Sequence, residues 1–184
     1  MLIETEPTPN PHTLKFRPGR TVAGATPREF ADAEAAHASP LAAALFALGS
    51  VERVFFGADF VSVTRAADGP DWAELKPQVL AVLAEHFASG APLLADVAAA
   101  EPVHDDPADA EIVARIRELL DTRIRPVVAG DGGDVVYRGF DRGVVYLHLQ
   151  GSCAGCPSST ATLKGGIENL LRFYVPEVTE VRAV

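Results

Sequence analysis

The segment HLQGSCAGCPSSTATLKGGIENLL, residues 148–171, carries the only two cysteines of the chain, Cys153 and Cys156. Upstream of them, Val144 to Leu149 reads as a strand. Downstream, Pro157 opens a helical pattern marked by Leu163, Ile167, Leu170, Leu171 and Tyr174. The thiols therefore sit on a loop between a strand and a helix. Pro fits the first helical position because its missing N–H would be unpaired there anyway. The free N–H groups and positive end of that helix favour thiolate, which predicts lowered cysteine pKa values. Small neighbours, Ser152, Ala154 and Gly155, predict an open metal-binding edge.

Working outward, the strand Val144–Leu149 pairs with Val135–Phe140 through a turn at Asp141-Arg142-Gly143. The glycine-rich GDGGDV, Gly130–Val135, precedes them and reads as a turn. Ahead of it, Ile112, Val113, Ile116, Leu119 and Leu120 form a helical stripe, with Asp109 as a candidate N-cap. Pro176 ends the cysteine helix, and Val178–Val184 reads as a last strand. The order helix, strand, strand, loop, helix, strand predicts a small α/β layer, with helices on one face of a three-stranded sheet.

The first half of the chain reads as a second small unit. Leu14–Phe16 is a short strand, and Ser39-Pro40 starts a helix that stops at Gly49. Val51–Phe56 and Phe60–Thr64 form a hairpin around Gly57-Ala58-Asp59. Asp71 begins a helix whose apolar face is Trp72, Leu75, Val79, Leu83 and Phe87. Pro77, inside that pattern, predicts a kink or a later start. Between the halves lies an alanine-, proline- and acid-rich stretch without a sustained period, whose second half is expected to be the most mobile part. The expected organisation is residues 1–90, a linker over 91–108, and 109–184, an α/β (α+β) protein of two small domains.

Composition limits the function. With 48% hydrophobic and 22% charged residues, each domain can build a packed core. A net charge of −9 argues against sequence-independent binding to nucleic acid or to anionic membrane surfaces. Glu4, Glu6 and three prolines in MLIETEPTPNP exclude a signal-peptide core, and no apolar run approaches the ~20 residues of a membrane span. The expected location is the cytoplasm, or the mitochondrial matrix if a presequence has been removed.

Three chemistries suit the pair Cys153 and Cys156. A thioredoxin-like dithiol couple fits the spacing, although the proline follows the second cysteine and no aromatic residue precedes the first. A structural zinc site needs four ligands, and the histidines at 12, 37, 86, 104 and 148 show no metal spacing. His148 reads as an ordinary strand residue. An iron–sulfur cluster takes four thiolates, which two chains related by a two-fold axis would supply. Asp131 and Asp134 read as turn-forming or capping residues, and Lys164 as a solvated lysine.

Residues 112–184 resemble the NifU C-terminal (Nfu) domain of iron–sulfur cluster scaffold and carrier proteins. The shared features are a helix ending in IRPVVAGDGGDV, two strands, LQGSCAGCPSSTATLKGGIENLL and a closing PEVTEV. TPNPHTLKF, SPLAAALFAL, VERVFFGADFVSVTR and Trp72 followed by LKP resemble the N-terminal domain that accompanies it in bacterial and mitochondrial Nfu proteins. The resemblance implies a homodimer that binds a bridging [4Fe-4S] cluster through Cys153 and Cys156 of each chain. [2Fe-2S] would need the same thiolates. It also implies partners that donate clusters and apo-proteins that receive them, and no catalytic residue. The N-terminal domain has no cysteine, which leaves it recognition or the control of dimerisation.

Overall fold

A computed structural model describes residues 2–95, 104–154 and 157–184. The chain divides into two compact units, residues 1–99 and 100–184.

The first unit is a sheet with helices packed on it. Its strands are β1 (Glu4–Pro7), β2 (Thr13–Arg17), β3 (Arg28–Phe30), β4 (Val51–Phe56) and β5 (Val61–Arg65). They lie in the order β1-β2-β5-β4-β3, and every neighbouring pair is antiparallel. The hairpin β4–β5 matches the expectation, with Val54 opposite Val63. The short edge strands β1 and β3 were not expected.

Two helices cover this sheet, α1 (Pro40–Phe46) and α2 (Trp72–Ser89). Both begin at the expected caps. Ser39 Oγ accepts the Ala42 N–H at 3.1 Å, and Asp71 Oδ1 accepts the Ala73 N–H at 2.8 Å. Each such cap is worth about 1 kcal/mol. Pro77 lies within α2, which starts at Trp72 and not at the proline. Leu41, Leu45, Leu75, Val79 and Leu83 pack on Phe16, Val54, Phe56, Val61 and Val63.

The second unit has a four-stranded sheet, ordered β6-β7-β8-β9. β7 (Gly133–Asp141) and β8 (Val144–Gly151) are antiparallel, joined at Arg142 (φ 46°) and Gly143 (φ 84°), the left-handed pair that a tight two-residue hairpin turn requires. β9 (Glu180–Ala183) runs parallel to β8, reached across the helix α5 (Pro157–Tyr174). The fourth strand, β6 (His104–Asp105), is parallel to β7.

This corrects two expectations. The sheet has four strands and not three. The end of the stretch expected to be a mobile linker is ordered, because Asp105 finds donors on β7 and Arg117 nearby. Asp106 then caps the turn Pro107–Asp109, accepting the Ala108 N–H at 2.9 Å. Asp109 makes no side-chain cap. Residues 96–103 of the expected linker lie outside the described residues.

The leading helix is α3 (Ala110–Leu119), continued by one wide π turn, Leu120–Ile124, into α4 (Arg125–Gly130). Pro126 has no N–H for the regular ladder, and its ring crowds the preceding turn. A widened turn just before it relieves both. Ile116, Leu120, Val128, Val145, Leu147, Ile167, Leu171 and Val181 form the core. Fully burying each such side chain is worth roughly 1.5–3 kcal/mol. No helix among the described residues is long and apolar enough to cross a membrane.

Candidate metal centre

The cysteine loop begins where β8 ends. Gly151 pairs with Gly133 and has φ 69°, a left-handed conformation that turns the chain out of the strand. Ser152 follows and ties the loop to the GDGG turn. Its N–H donates to the Gly132 carbonyl at 3.2 Å, and its hydroxyl donates to the Asp131 carbonyl. The Ala154 N–H donates back to the Gly151 carbonyl at 3.1 Å. From the far side, Thr160 on α5 donates its hydroxyl to the Cys153 carbonyl at 2.9 Å. The described part of the loop, Ser152–Ala154, is thus held between a turn and a helix by hydrogen bonds.

Cys153 is only 6% exposed and belongs to the core of the second unit. Burial pushes its thiol pKa up to about 11; the Ser152 hydroxyl pulls the other way, and Asp131 and Asp134 add to the rise. This overturns the expectation of a lowered pKa and an exposed edge for this cysteine. The helix end that would stabilise a thiolate starts at Pro157. Cys153 lies on the strand side of the loop, packed against β7, where desolvation outweighs a helix dipole. Without metal the thiol holds its proton, and a metal ion must displace it on binding. Cys156 lies outside the described residues.

The structure also gives the two aspartates their roles. Asp134 was expected to form or cap a turn. It stands instead on β7, 4% exposed, and takes both arms of the Arg125 guanidinium. Arg125 also donates to Asp121, one turn back, at 3.1 Å. These partners hold the arginine pKa further above its ordinary value, Asp134 contributing most. Asp131 does sit in the turn, its N–H donating to the Val128 carbonyl at 3.1 Å. The turn proper is short, because Gly133 already belongs to β7.

Sequence reasoning missed Arg125 altogether, and the anchoring by Ser152 and the close approach of Gly133 to Cys153. Nothing in the local pattern pairs Arg125 with a residue nine positions on across a glycine turn. The expectation for His148 stands. His148 is a strand residue whose Nδ1 lies 2.6 Å from the Val184 carbonyl. Lys164, expected to be a solvated lysine, is instead half-buried on α5, and its charge acts on Glu180. No group of three or more His, Cys, Asp or Glu side chains is arranged to hold a metal ion among the described residues.

Residues 3–90 match the family model described as scaffold protein Nfu/NifU N terminal, and residues 116–182 match the NifU-like domain. The chain is 50% identical over 184 residues to the human protein named NFU1 iron-sulfur cluster scaffold homolog, mitochondrial, covering 100% of this chain and 72% of that one. It is likewise 50% identical to the Drosophila erecta protein of the same name, over 100% of this chain and 65% of the relative. A solution structure of a NifU-like protein from Saccharomyces cerevisiae aligns with 53% of this chain and 87% of its own, at 23% identity and a TM-score of 0.47.

Proposed function

Because the chain belongs to the Nfu family of iron–sulfur cluster scaffold proteins, we propose that two copies hold one [4Fe-4S] cluster between them and pass it to apo-proteins. The ligands are Cys153 and Cys156 of each subunit. The observation that carries this reading is arithmetic: a cluster takes four thiolates, and the chain has two cysteines in all. A two-fold axis completes the set with no foreign ligand.

A bridging site suits a carrier. The cluster is cargo, held while the subunits stay together and released when they part, since separation removes half of its ligands. The chemistry is ligand exchange. It calls for no general acid or base, so the protein acts as a carrier and not as an enzyme. The same four thiolates would hold a [2Fe-2S] cluster, so their number does not set the cluster type.

The proline after Cys156 and the absence of an aromatic residue just before Cys153 support this reading over a dithiol–disulfide oxidoreductase. We assign cluster binding to the second unit, whose sheet begins at β6, and recognition of donors or recipients to the first. The relatives are mitochondrial by name, which supports the matrix over the cytoplasm as the place of action.

Anaerobic reconstitution of Cys153→Ala and of Cys156→Ala tests the ligand assignment. Each variant is expected to lose stable iron and sulfide. Undiminished iron and sulfide in either one would remove that residue from the ligand set.

A further inference from the structure

Three glycines close together raise the question of why each is a glycine. Gly132 has φ 83° and needs none further, since that backbone disfavours any side chain. Gly130, at the end of α4, has open space where a Cβ would stand. Gly133 differs from both. It lies in β7 without a left-handed φ, so its backbone would accept any residue. A Cβ there, however, would lie 2.7 Å from the Cys153 Sγ, 3.3 Å from the Cys153 Cβ and 2.6 Å from the Gln150 carbonyl oxygen.

We propose that Gly133 is a positioning residue for the Cys153 sulfur. The space left by its missing side chain is the seat in which the thiol packs. Of the two atoms that a methyl group would strike, the Gln150 carbonyl belongs to a paired strand, with Asp134 opposite Gln150 and Gly133 opposite Gly151. The sulfur turns on a single χ1 bond. A side chain at 133 therefore displaces the sulfur and also presses on the Gln150 carbonyl. The residues on either side fix the same arrangement. Ser152 binds the carbonyls of Asp131 and Gly132, and Arg125 clamps Asp134. Gly133 thus sits between two anchored residues with no freedom to move away from the thiol. A metal ligand must be held within roughly half an ångström of its working position. A seat built from backbone does this beside the Ser152 hydroxyl, whose oxygen lies 4.0 Å from the sulfur. The inference rests on the reading of Cys153 as a cluster ligand.

The test compares Gly133→Ala with Gly130→Ala in the full chain, the latter adding the same methyl group to open space. In apo-protein carrying Cys156→Ala, the rate at which an aromatic disulfide reagent labels Cys153 at fixed pH reports where the sulfur lies. Gly133→Ala is expected to label at least tenfold faster than its parent, and Gly130→Ala within twofold, with the circular dichroism of both unchanged. Labelling of Gly133→Ala at the parental rate would overturn the proposal.

If Gly133→Ala is destabilised, adding Cys153→Ala should recover part of the loss, the share due to the sulfur, while the Gln150 contact remains. A double variant no more stable in urea unfolding than Gly133→Ala would overturn the proposal too. With Cys156 present, reconstituted Gly133→Ala should retain less than a third of the wild-type iron, while Gly130→Ala matches wild type. Iron equal to wild type in Gly133→Ala would contradict the seat. A wild-type chain that takes up no iron would sink the carrier reading instead, and the labelling rates would still decide the role of Gly133.

Discussion

Arg125 grips Asp134 through two parallel hydrogen bonds, Nε to Oδ1 and Nη2 to Oδ2, each 2.9 Å long. The pair spans the GDGG turn and fixes the start of β7 against α4, one residue from the glycine beneath Cys153. Asp134 is nearly inaccessible, its side chain 6% exposed, while that of Arg125 is 35% exposed. The clamp is a fork that only a guanidinium can make.

Removing the arginine would strand a buried carboxylate. Arg125→Met is expected to destabilise the second unit by about 3 kcal/mol, because a buried charge left without its partner is costly. Arg125→Lys should fall between it and wild type, keeping the charge and losing the fork. Replacing both partners, as Arg125→Met with Asp134→Leu, should recover part of the loss. Urea unfolding of the three variants measures this, and a double variant no more stable than Arg125→Met would contradict the account of the clamp.

The edge of the same sheet holds a second anchor. Asp105 Oδ1 accepts the Tyr137 hydroxyl at 2.6 Å and the Phe140 N–H at 3.2 Å, while Oδ2 lies 3.3 Å from Arg117 Nη2. Burial, and then Asp105, push the Tyr137 pKa well above its ordinary value. Asp105→Ala is expected to release β6 from β7. Amide exchange near residue 105 should speed up, and Tyr137 should ionise at lower pH than in wild type. An ultraviolet titration of the three tyrosines that shows no change would deny the anchor its role.

Acid should weaken the first unit through His86. Its ring is 8% exposed, packs edge-on to Phe87 with centroids 5.6 Å apart, and its Nε2 has no hydrogen-bond partner. Arg20 stands at this corner, its guanidinium 5.6 Å from the centre of the Phe87 ring and donating to the Phe87 carbonyl. Burial lowers the His86 pKa. The unfolded chain therefore takes up a proton below about pH 6.5 that the folded chain resists. Stability from this source is complete above that pH and is lost as the pH falls through it. Melting of wild type and His86→Leu at pH 7.5 and 5.5 checks the sign: the variant should lose less stability on acidification, and equal losses would refute the assignment.

What was legible in the sequence was local. Ser39 and Asp71 cap their helices because a cap is decided by a residue and its next three neighbours. The β4–β5 hairpin and the order of elements around the cysteines follow from alternation and turn chemistry. The edge strands β1, β3 and β6 were not legible. β6 is two residues long, and its pairing depends on Tyr137 and Phe140, more than thirty positions away. The thiol was misjudged for the same reason. A reading of the loop sees the helix that follows, and not the glycine of β7 and the two aspartates that surround Cys153 in space. The Arg125–Asp134 clamp, with its glycine turn folded between the partners, left no periodic trace.

The claim that two chains share one cluster is tested most directly by native mass measurement of anaerobically reconstituted wild-type protein, with iron and sulfide counted in the same sample. The account predicts a coloured species of two chains with one cluster, which falls apart to single chains when a chelator strips the iron. A single chain that retains a complete cluster, or a chain that takes up no iron without oxygen present, would contradict it.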